Sequence, residues 1–538
     1  MNKNSKHILI CSLVAIIALA IGGFIGWRAK RVSFHRLGIA PLEDVFRLID
    51  NEYVDTVDIA ELSSALIPNL LQKLDPHSEY IPREESILET QRLEGAFYGV
   101  GITFNTIIDT PVVINVIKDG PAYRAGILAG DRLLTANEIS LLSDSLTADK
   151  VKQMLQGEKG SIVSIDILRD GVRKKVDVNR DEVTIESVDV CYMLDSITGL
   201  LRINSWGRNT HAEVLEAIGR LKKEGLRQLV IDLRDNVGGY LQAAALVANE
   251  FLPENSLIVY SKGEHQPLQE YRADGTGLFQ EMPLAILVNE LSASASEIFS
   301  GCMQDHDRAT ILGRRTFGKG LVQRPFYLKD SAQIRLTVAR YYIPSGRSIQ
   351  KKYTLGQKED YNKDLIERFD DGQMYHIDTS LFKNAPRYTT ENGRTVYGES
   401  GIMPDVFVAA DSTGQNAYYL RLLESNLLPE FAFRFADTHR ATLRKCTSPD
   451  AMKAAIATTE NIADRFADFA ASRGIPMRSG MLREAAPLLN RILMAQIAQF
   501  FLGTQGFYQI YFNQDPTIDA AIKELHKAEK NDRQANPS

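Results

Sequence analysis

Two short, unbroken apolar runs constrain this chain most: LVIDL at residues 229–233 and LAILVN at residues 284–289. Strands read this way when both their faces are buried, as in a parallel sheet covered on each side. Each run is followed by a loop of small or polar residues and then by apolar residues at helical spacing, so each opens a βαβ unit. Sites in such sheets form beyond the carboxyl ends of the strands. The RDNVGG loop (residues 234–239) and the SASASE segment (residues 292–297) therefore share one rim. This α/β reading extends over residues 181–410.

The rest of the chain is organised differently. Over residues 94–180 the pattern changes to short alternating strands, PVVINVI, SIVSIDILRDG and VRKKVDVNR, which predict a small β-rich domain. Residues 31–93 are helical, with Val45, Leu48 and Ile49, then Leu62, Leu66, Leu70 and Leu71, at helical spacing. Residues 411–538 are again helical. The apolar stretch at 488–512 holds Arg491, Gln496 and Gln499, and reads as a docking or core helix instead of a membrane span. Residues 535–538 read as a frayed tail. The expected fold is thus multidomain, α/β plus β-rich, with helical regions at both ends.

At the N-terminus, residues 8–27 form a nearly unbroken apolar run behind Lys3 and Lys6. Twenty helical residues at about 1.5 Å each match the roughly 30 Å hydrocarbon core of a bilayer. Residues 1–30 are expected to be a membrane anchor, with a cleaved signal segment as the alternative. Arg28, Lys30 and Arg31 at the far end leave orientation ambiguous by charge alone.

Among 538 residues, 44% apolar and 24% charged, the formal charge of −6 gives no reason to expect nucleic acid or an acidic substrate. Cys11, Cys191, Cys302 and Cys446 lie far apart, without the spacing of a zinc site or a disulfide framework. A single bridge stays open.

Ser294 follows a buried strand and opens a helix whose apolar residues are Ile298, Phe299, Cys302 and Met303. Free N–H groups at a helix start suit an oxyanion next to a nucleophile. Helix capping and small-residue packing are the alternative for Ser292, Ser294 and Ser296. A serine needs a base. His306 lies about three turns along the same helix, on the order of 18 Å away, and His265 has no supporting motif. Lys319, between two glycines in TFGKG, is the better candidate. To act as base it must be neutral, so burial has to lower its pKa from about 10.4 toward neutrality. Residues 313–319 also read G-x-x-x-x-G-K, a phosphate loop, but Gly320 stands where that motif needs Ser or Thr, and a strand with Pro325 follows in place of a helix.

The segment NELSASASEIFSGCMQD, followed by GRRTFGKGLVQ, resembles the active-site signature of the C-terminal processing peptidases, or tail-specific proteases. The resemblance implies that Ser294 is the nucleophile, Lys319 the general base and Gln323 the group orienting the lysine. Glu297 and Asp305 match acidic positions after the nucleophile, with a structural hydrogen bond as the alternative for each. RDNVGG resembles the family's L-R-x-N-x-G-G, which implies an oxyanion hole from the N–H of Gly238 or Gly239 together with that of Ala295. The β-rich domain resembles the family's PDZ module: Tyr98, Gly99, Val100, Gly101 and Ile102 match its carboxylate-binding loop, and GPAYRAGILAGD (residues 120–131) a second segment of it. Ile102 and Phe104 would shape the pocket for a substrate tail added to the strand edge. LDPHSEY (residues 74–80) also matches the family, with His77 expected to be structural.

The implied activity is that of a serine endopeptidase with a Ser/Lys dyad and neither metal nor cofactor, acting in the cell envelope on proteins with free C-terminal tails. Its body would lie outside the cytoplasm, on the periplasmic face of the inner membrane. The helical ends favour a homodimer, and the C-terminal region could recruit an adaptor. A catalytically silent scaffold that binds protein C-termini is the competing reading, and a nucleotide-binding protein a remote third.

Overall fold

A computed structural model describes residues 39–535 apart from 108–109, 143–146, 329–331, 379–382, 384 and 459–460. The apolar run at 8–27 lies outside the described residues, as does the end of the predicted tail. The described chain forms two units, divided after Leu74.

The first unit holds two helices, Ala40–Glu52 and Ile59–Leu71. Pro41 opens the first, where a missing N–H costs nothing. Asp58 caps the second by accepting the N–H groups of Ala60 and Glu61 at 2.8 and 3.2 Å. Leu42, Val45, Leu48, Leu66 and Leu70 are exposed.

The centre of the second unit is a six-stranded sheet in the order Val188–Met193, Thr198–Ile203, Gln228–Asp232, Leu284–Val288, Thr310–Gly313 and Val406–Phe407. The first pair is antiparallel and every later pair parallel. Both predicted apolar runs are central strands, and every residue of each is buried. From Thr198–Ile203 onward the strands follow chain order, so right-handed crossovers all step the same way and place their helices on one face. Those helices are Thr210–Glu224, Leu241–Asn249 and Ala295–Asp305. They pack on Leu201, Leu229, Ile231, Ile286 and Ile311. The alternate residues Leu200, Val230, Ala285, Leu287 and Leu312 point the other way, and there the covering element is the helix Pro516–Ala535, through Ile518, Ala521 and Leu525. Both faces are covered as the sequence predicts, but the second by the far end of the chain.

A second, antiparallel sheet joins Glu79–Ile81, Gln333–Tyr342, Leu257–Gly263 and Gln266–Arg272, with Leu321–Tyr327 also paired to Gln333–Tyr342. The β-rich domain is a separate sheet, ordered Ile102–Ile107, Thr110–Val116, Arg132–Ala136, Ile162–Arg169 and Val172–Asn179, around a core that includes Val113, Ile127, Leu133 and Ile165. A two-stranded neck, Ala96–Gly99 with Asp181–Thr184, joins it to the core.

The described part of residues 417–535 forms helices joined by short loops. Ser479–Tyr511 is the one helix among the described residues long and apolar enough to cross a membrane. Leu482, Leu489, Leu493 and Ile497 are buried in a cluster with Phe431, Phe435 and Phe466, which makes it the core helix that its polar residues predict. It bends at Gly503. The bundle also reaches the β-rich domain: Phe433 packs with Ile107 and Val112, and Arg440 donates to the Ala129 carbonyl at 3.2 Å. Cys191, Cys302 and Cys446 are free thiols.

Candidate active site

The chain leaves the buried strand Leu284–Val288 through a tight loop and enters the helix Ala295–Asp305 at Ser294. Ser292 and Ser296 are buried structural ties: Ser292 Oγ donates to the Leu233 carbonyl at 2.8 Å, and Ser296 Oγ accepts from Trp206 Nε1 at 2.9 Å and donates to the Asn236 carbonyl at 3.0 Å. Ser294 is only half-buried, and its backbone is strained, with φ 57° and ψ −115°. Left-handed backbone in a non-glycine residue at a strand-to-helix turn is the geometry of a nucleophile elbow, reached here without the G-x-S-x-G sequence.

The RDNVGG loop lies against this turn. Asn236 is buried, donates from Nδ2 to the Ile203 carbonyl at 2.8 Å, and accepts the Gly238 N–H on Oδ1 at 2.9 Å. Its carbonyl takes the Ala293 N–H at 3.0 Å, which stitches the two loops together. Gly238 has φ 107°, and a Cβ there would meet Ser294 Cβ at 2.8 Å and the Ala295 nitrogen at 3.2 Å, so only glycine permits the approach. The Gly238 N–H is thus donated within its own loop. The bridge between this loop and Trp206 uses the N–H groups of Trp206 and Tyr240 instead. Ala295 opens the helix, where an N–H has no intrahelical acceptor.

Lys319 sits in a loop whose ends are pinned: the Phe317 N–H donates to the Ser292 carbonyl at 3.0 Å and the Lys351 N–H to the Gly318 carbonyl at 2.9 Å. Gly318 has φ 89°, which favours glycine. The connection between serine and lysine loops is Glu297, which has no exposure to solvent. Its Oε2 accepts the N–H groups of Ser294 at 2.9 Å and Lys319 at 2.8 Å. Its Oε1 accepts the Gly318 N–H at 2.7 Å and the Thr316 hydroxyl at 2.5 Å. Burial pushes this carboxyl up, and the four donors pull it back toward the charged form. Glu297 is thus a buried tie between four donors, not a bond on the helix surface.

Burial lowers the pKa of Lys319, against the pull of Glu79, Glu297 and Asp75. His77 lies beside it, held down at about 3 first by burial and then by the lysine charge. Its Nε2 bonds the Tyr361 hydroxyl at 2.9 Å, and Asp75 caps its turn by accepting from the His77 and Ser78 N–H groups at 2.9 and 3.0 Å. Gln323 donates its amide Nε2 to the His77 carbonyl, which leaves its Oε1 as an acceptor. Asp305, at the far end of the helix, bonds Arg347 Nη2 and the Ser345 N–H at 2.8 and 2.9 Å, a buried structural pair.

Some supporting residues carry no motif. The helix Lys358–Asp370 braces the lysine loop: Arg368 donates to the carbonyls of Thr316 and Phe317 at 2.8 and 3.1 Å. Lys351 packs its ammonium between the rings of Phe317 and Tyr361, at 4.3 and 4.0 Å. The spacing of Tyr361, Asp364 and Arg368 along one helix is the only sequence signal for this brace.

In the β-rich domain, Tyr98 and Gly99 end the neck strand. The Val100 carbonyl accepts from Ala122 N–H at 2.8 Å and the Gly101 carbonyl from Ile117 N–H at 3.0 Å. Ile102 then opens the strand Ile102–Ile107, which pairs with Thr110–Val116 on one side and, among the described residues, with no strand on the other. Ile102 and Phe104 are half-buried against the domain core.

A largely parallel sheet whose rim carries a strained serine and a half-buried lysine tied to one carboxylate, with a small β-domain before it in the chain, has the layout of a serine peptidase with its own recognition module. Residues 197–363 match peptidase family S41, residues 99–179 the PDZ domain, and residues 418–503 a family of unknown function. Probable CtpA-like serine proteases of Staphylococcus saprophyticus and Staphylococcus epidermidis are 31% and 32% identical over 359 and 368 residues. Each alignment spans 65% of this chain, and 72% and 74% of those proteins. Among solved structures, the photosystem II D1 C-terminal processing protease aligns with 71% of this chain and 96% of its own, at 24% identity and a TM-score of 0.33. The chain belongs to the CtpA-like serine proteases of peptidase family S41.

Proposed function

We propose that this serine protease works through a Ser294/Lys319 dyad and selects proteins by their C-terminal tails. In this reading neutral Lys319 Nζ takes the Ser294 hydroxyl proton as Oγ bonds to the scissile carbonyl carbon, and the N–H groups of Gly239 and Ala295 hold the oxyanion. Collapse breaks the C–N bond, the leaving amine takes the proton from Lys319, and water activated by the same lysine hydrolyses the acyl-enzyme. Gln323 orients the lysine. The observation that carries this reading is the single Glu297 oxygen that accepts the backbone N–H groups of both Ser294 and Lys319.

A tail would add antiparallel to the strand Ile102–Ile107, its carboxylate held by the N–H groups of the loop from Tyr98 to Ile102. The apolar run at 8–27 supports anchoring in the inner membrane with the body outside the cytoplasm. The exposed leucines of the first unit suit a second copy of the chain.

The test is cleavage by the full chain of a loosely folded protein ending in an apolar tail, with Ser294→Ala and Lys319→Ala as comparisons. Loss of cleavage in both supports the dyad. Cleavage that persists without Lys319 returns the search to another base, and a wild-type chain that binds tails without cutting favours the scaffold reading.

A further inference from the structure

The C-terminal helical region reaches the site from behind the RDNVGG loop. Arg234 opens that loop and is largely buried, with 13% of its side chain exposed. Its Nε bonds both oxygens of Asp232 at 2.9 and 3.1 Å, and Nη2 bonds Asp232 Oδ2 at 2.7 Å. The remaining Nη1 donates to Oδ2 of Asp515 at 2.8 Å, across 281 residues of sequence. The guanidinium lies over the Phe512 ring at 4.9 Å.

Asp515 is itself fixed. Its Oδ1 accepts the N–H groups of Thr517 and Ile518 at 2.9 and 3.1 Å, which caps the helix Pro516–Ala535. That helix is seated on the sheet through Ile518, Ala521 and Leu525. The positive helix end offsets the second carboxylate around one arginine. Beneath the loop lies a cavity of about 500 Å³, with Arg234, Asp235 and Asn289 on one wall and Tyr508, Phe512 and Asp515 on another. Across this opening the Arg234–Asp515 ion pair, with the Phe512 ring against the guanidinium, links the loop to the last helix. From Arg234 onward the chain is pinned: Asp235, at φ 63°, exchanges two hydrogen bonds with Asn289 at 2.9 and 2.7 Å, and Asn236 holds the Gly238 N–H.

We propose that Asp515 is a positioning residue for peptide hydrolysis: through Arg234 it fixes the loop of residues 234–239, and with it the Gly239 N–H, where the oxyanion on a Ser294 adduct forms. The proposal rests on the reading of Ser294 and Gly239 given above. It assigns the helical region a part in the chemical step, separate from tail binding.

Asp515→Asn in the full chain separates the two roles of this carboxylate, because asparagine caps a helix as well as aspartate but brings no charge to Arg234. The expected result is a cooperative melting transition, an unchanged KM for a tailed protein substrate, and a kcat lowered roughly 10- to 100-fold, as for misplacement of a catalytic group by a fraction of an ångström to an ångström. Labelling of Ser294 by a fluorophosphonate slows in parallel. Asp515→Glu, which keeps the charge, recovers part of the rate. Wild-type kcat in Asp515→Asn overturns the proposal, as does a rise in KM with kcat unchanged. Gly238→Ala, whose Cβ would meet Ser294 Cβ at 2.8 Å, tests the underlying reading. If it is inactive while Asp515→Asn is normal, only the role of Asp515 fails; if it keeps full activity, the oxyanion reading fails and the proposal falls with it.

Discussion

Ser294 and Lys319 donate their backbone N–H groups to the same atom, Oε2 of Glu297, at 2.9 and 2.8 Å. The serine turn and the lysine loop come from different crossovers of the sheet, and a buried carboxylate with two further donors on its other oxygen sets the distance between them. A shift of either loop has to break a charge-assisted hydrogen bond that no water can replace.

Replacing Glu297 is therefore expected to abolish cleavage and to weaken the fold together. In Glu297→Ala four donors are stranded, and since leaving a buried donor unpaired costs about 1–3 kcal/mol, the loss is expected to be at least about 4 kcal/mol. Glu297→Gln places an NH2 group against N–H donors and loses activity with a smaller loss of stability. Urea unfolding and turnover, measured side by side, check this; a stable, active Glu297→Ala would show that the junction is incidental.

Lys319 governs a pH profile. Burial holds its pKa below the ordinary lysine value of 10.5. Between those two values the unfolded chain keeps a proton that the folded chain has lost, so this group makes stability rise with pH across that window. Turnover rises with pH through the lowered value as one proton leaves, then levels. Lys319→Met is expected to be inactive and to lose this rise of stability with pH. Retained turnover in Lys319→Met would refute the base assignment.

His77 adds an acid limb. Its ordinary pKa of 6.5 falls to about 3 in the fold, so below pH 6.5 the unfolded chain takes up a proton that the folded chain refuses. Stability is then lost progressively as pH falls from 6.5 toward 3. Melting temperatures followed over that range lose one proton's worth of slope in His77→Gln. An unchanged slope would mean that the histidine titrates freely.

The last helix belongs to the protease core. Leu525, 5% exposed against the sheet face, is expected to cost about 2–4 kcal/mol when cut to alanine. Ile518→Asp, which buries a charge on the same face, should leave little soluble protein. Thermal melting and soluble yield decide it; melting as in wild type for both variants would mean the face needs no cover.

The strands were legible because Leu229, Val230 and Ile231, like Ala285, Ile286 and Leu287, are buried on both sides, and such strands are apolar without a break. The expectation for Ser294 and Lys319 came from their small-residue surroundings and from the resemblance of those segments to a peptidase signature, and the close approach of Gly238 to Ser294 shows why larger residues are excluded there. The fourfold role of Glu297 was not, because three of its partners lie 19 to 22 residues away and are joined only by the fold. Nor was the Arg234–Asp515 pair. Periodicity reveals that the helix Pro516–Ala535 has an apolar face, but not that the sheet it covers was left bare by helices crossing on one side only.

A ribosome makes these parts in order. Lys319 emerges about 200 residues ahead of Leu525, and Ser294 and the β-rich domain earlier still, an interval of at least roughly 10 to 40 seconds at ordinary synthesis rates. Through that interval the sheet behind the serine stands uncovered on one side and Arg234 has no Asp515 to meet. A half-made copy thus lacks both the cover over that sheet face and the carboxylate that meets Arg234.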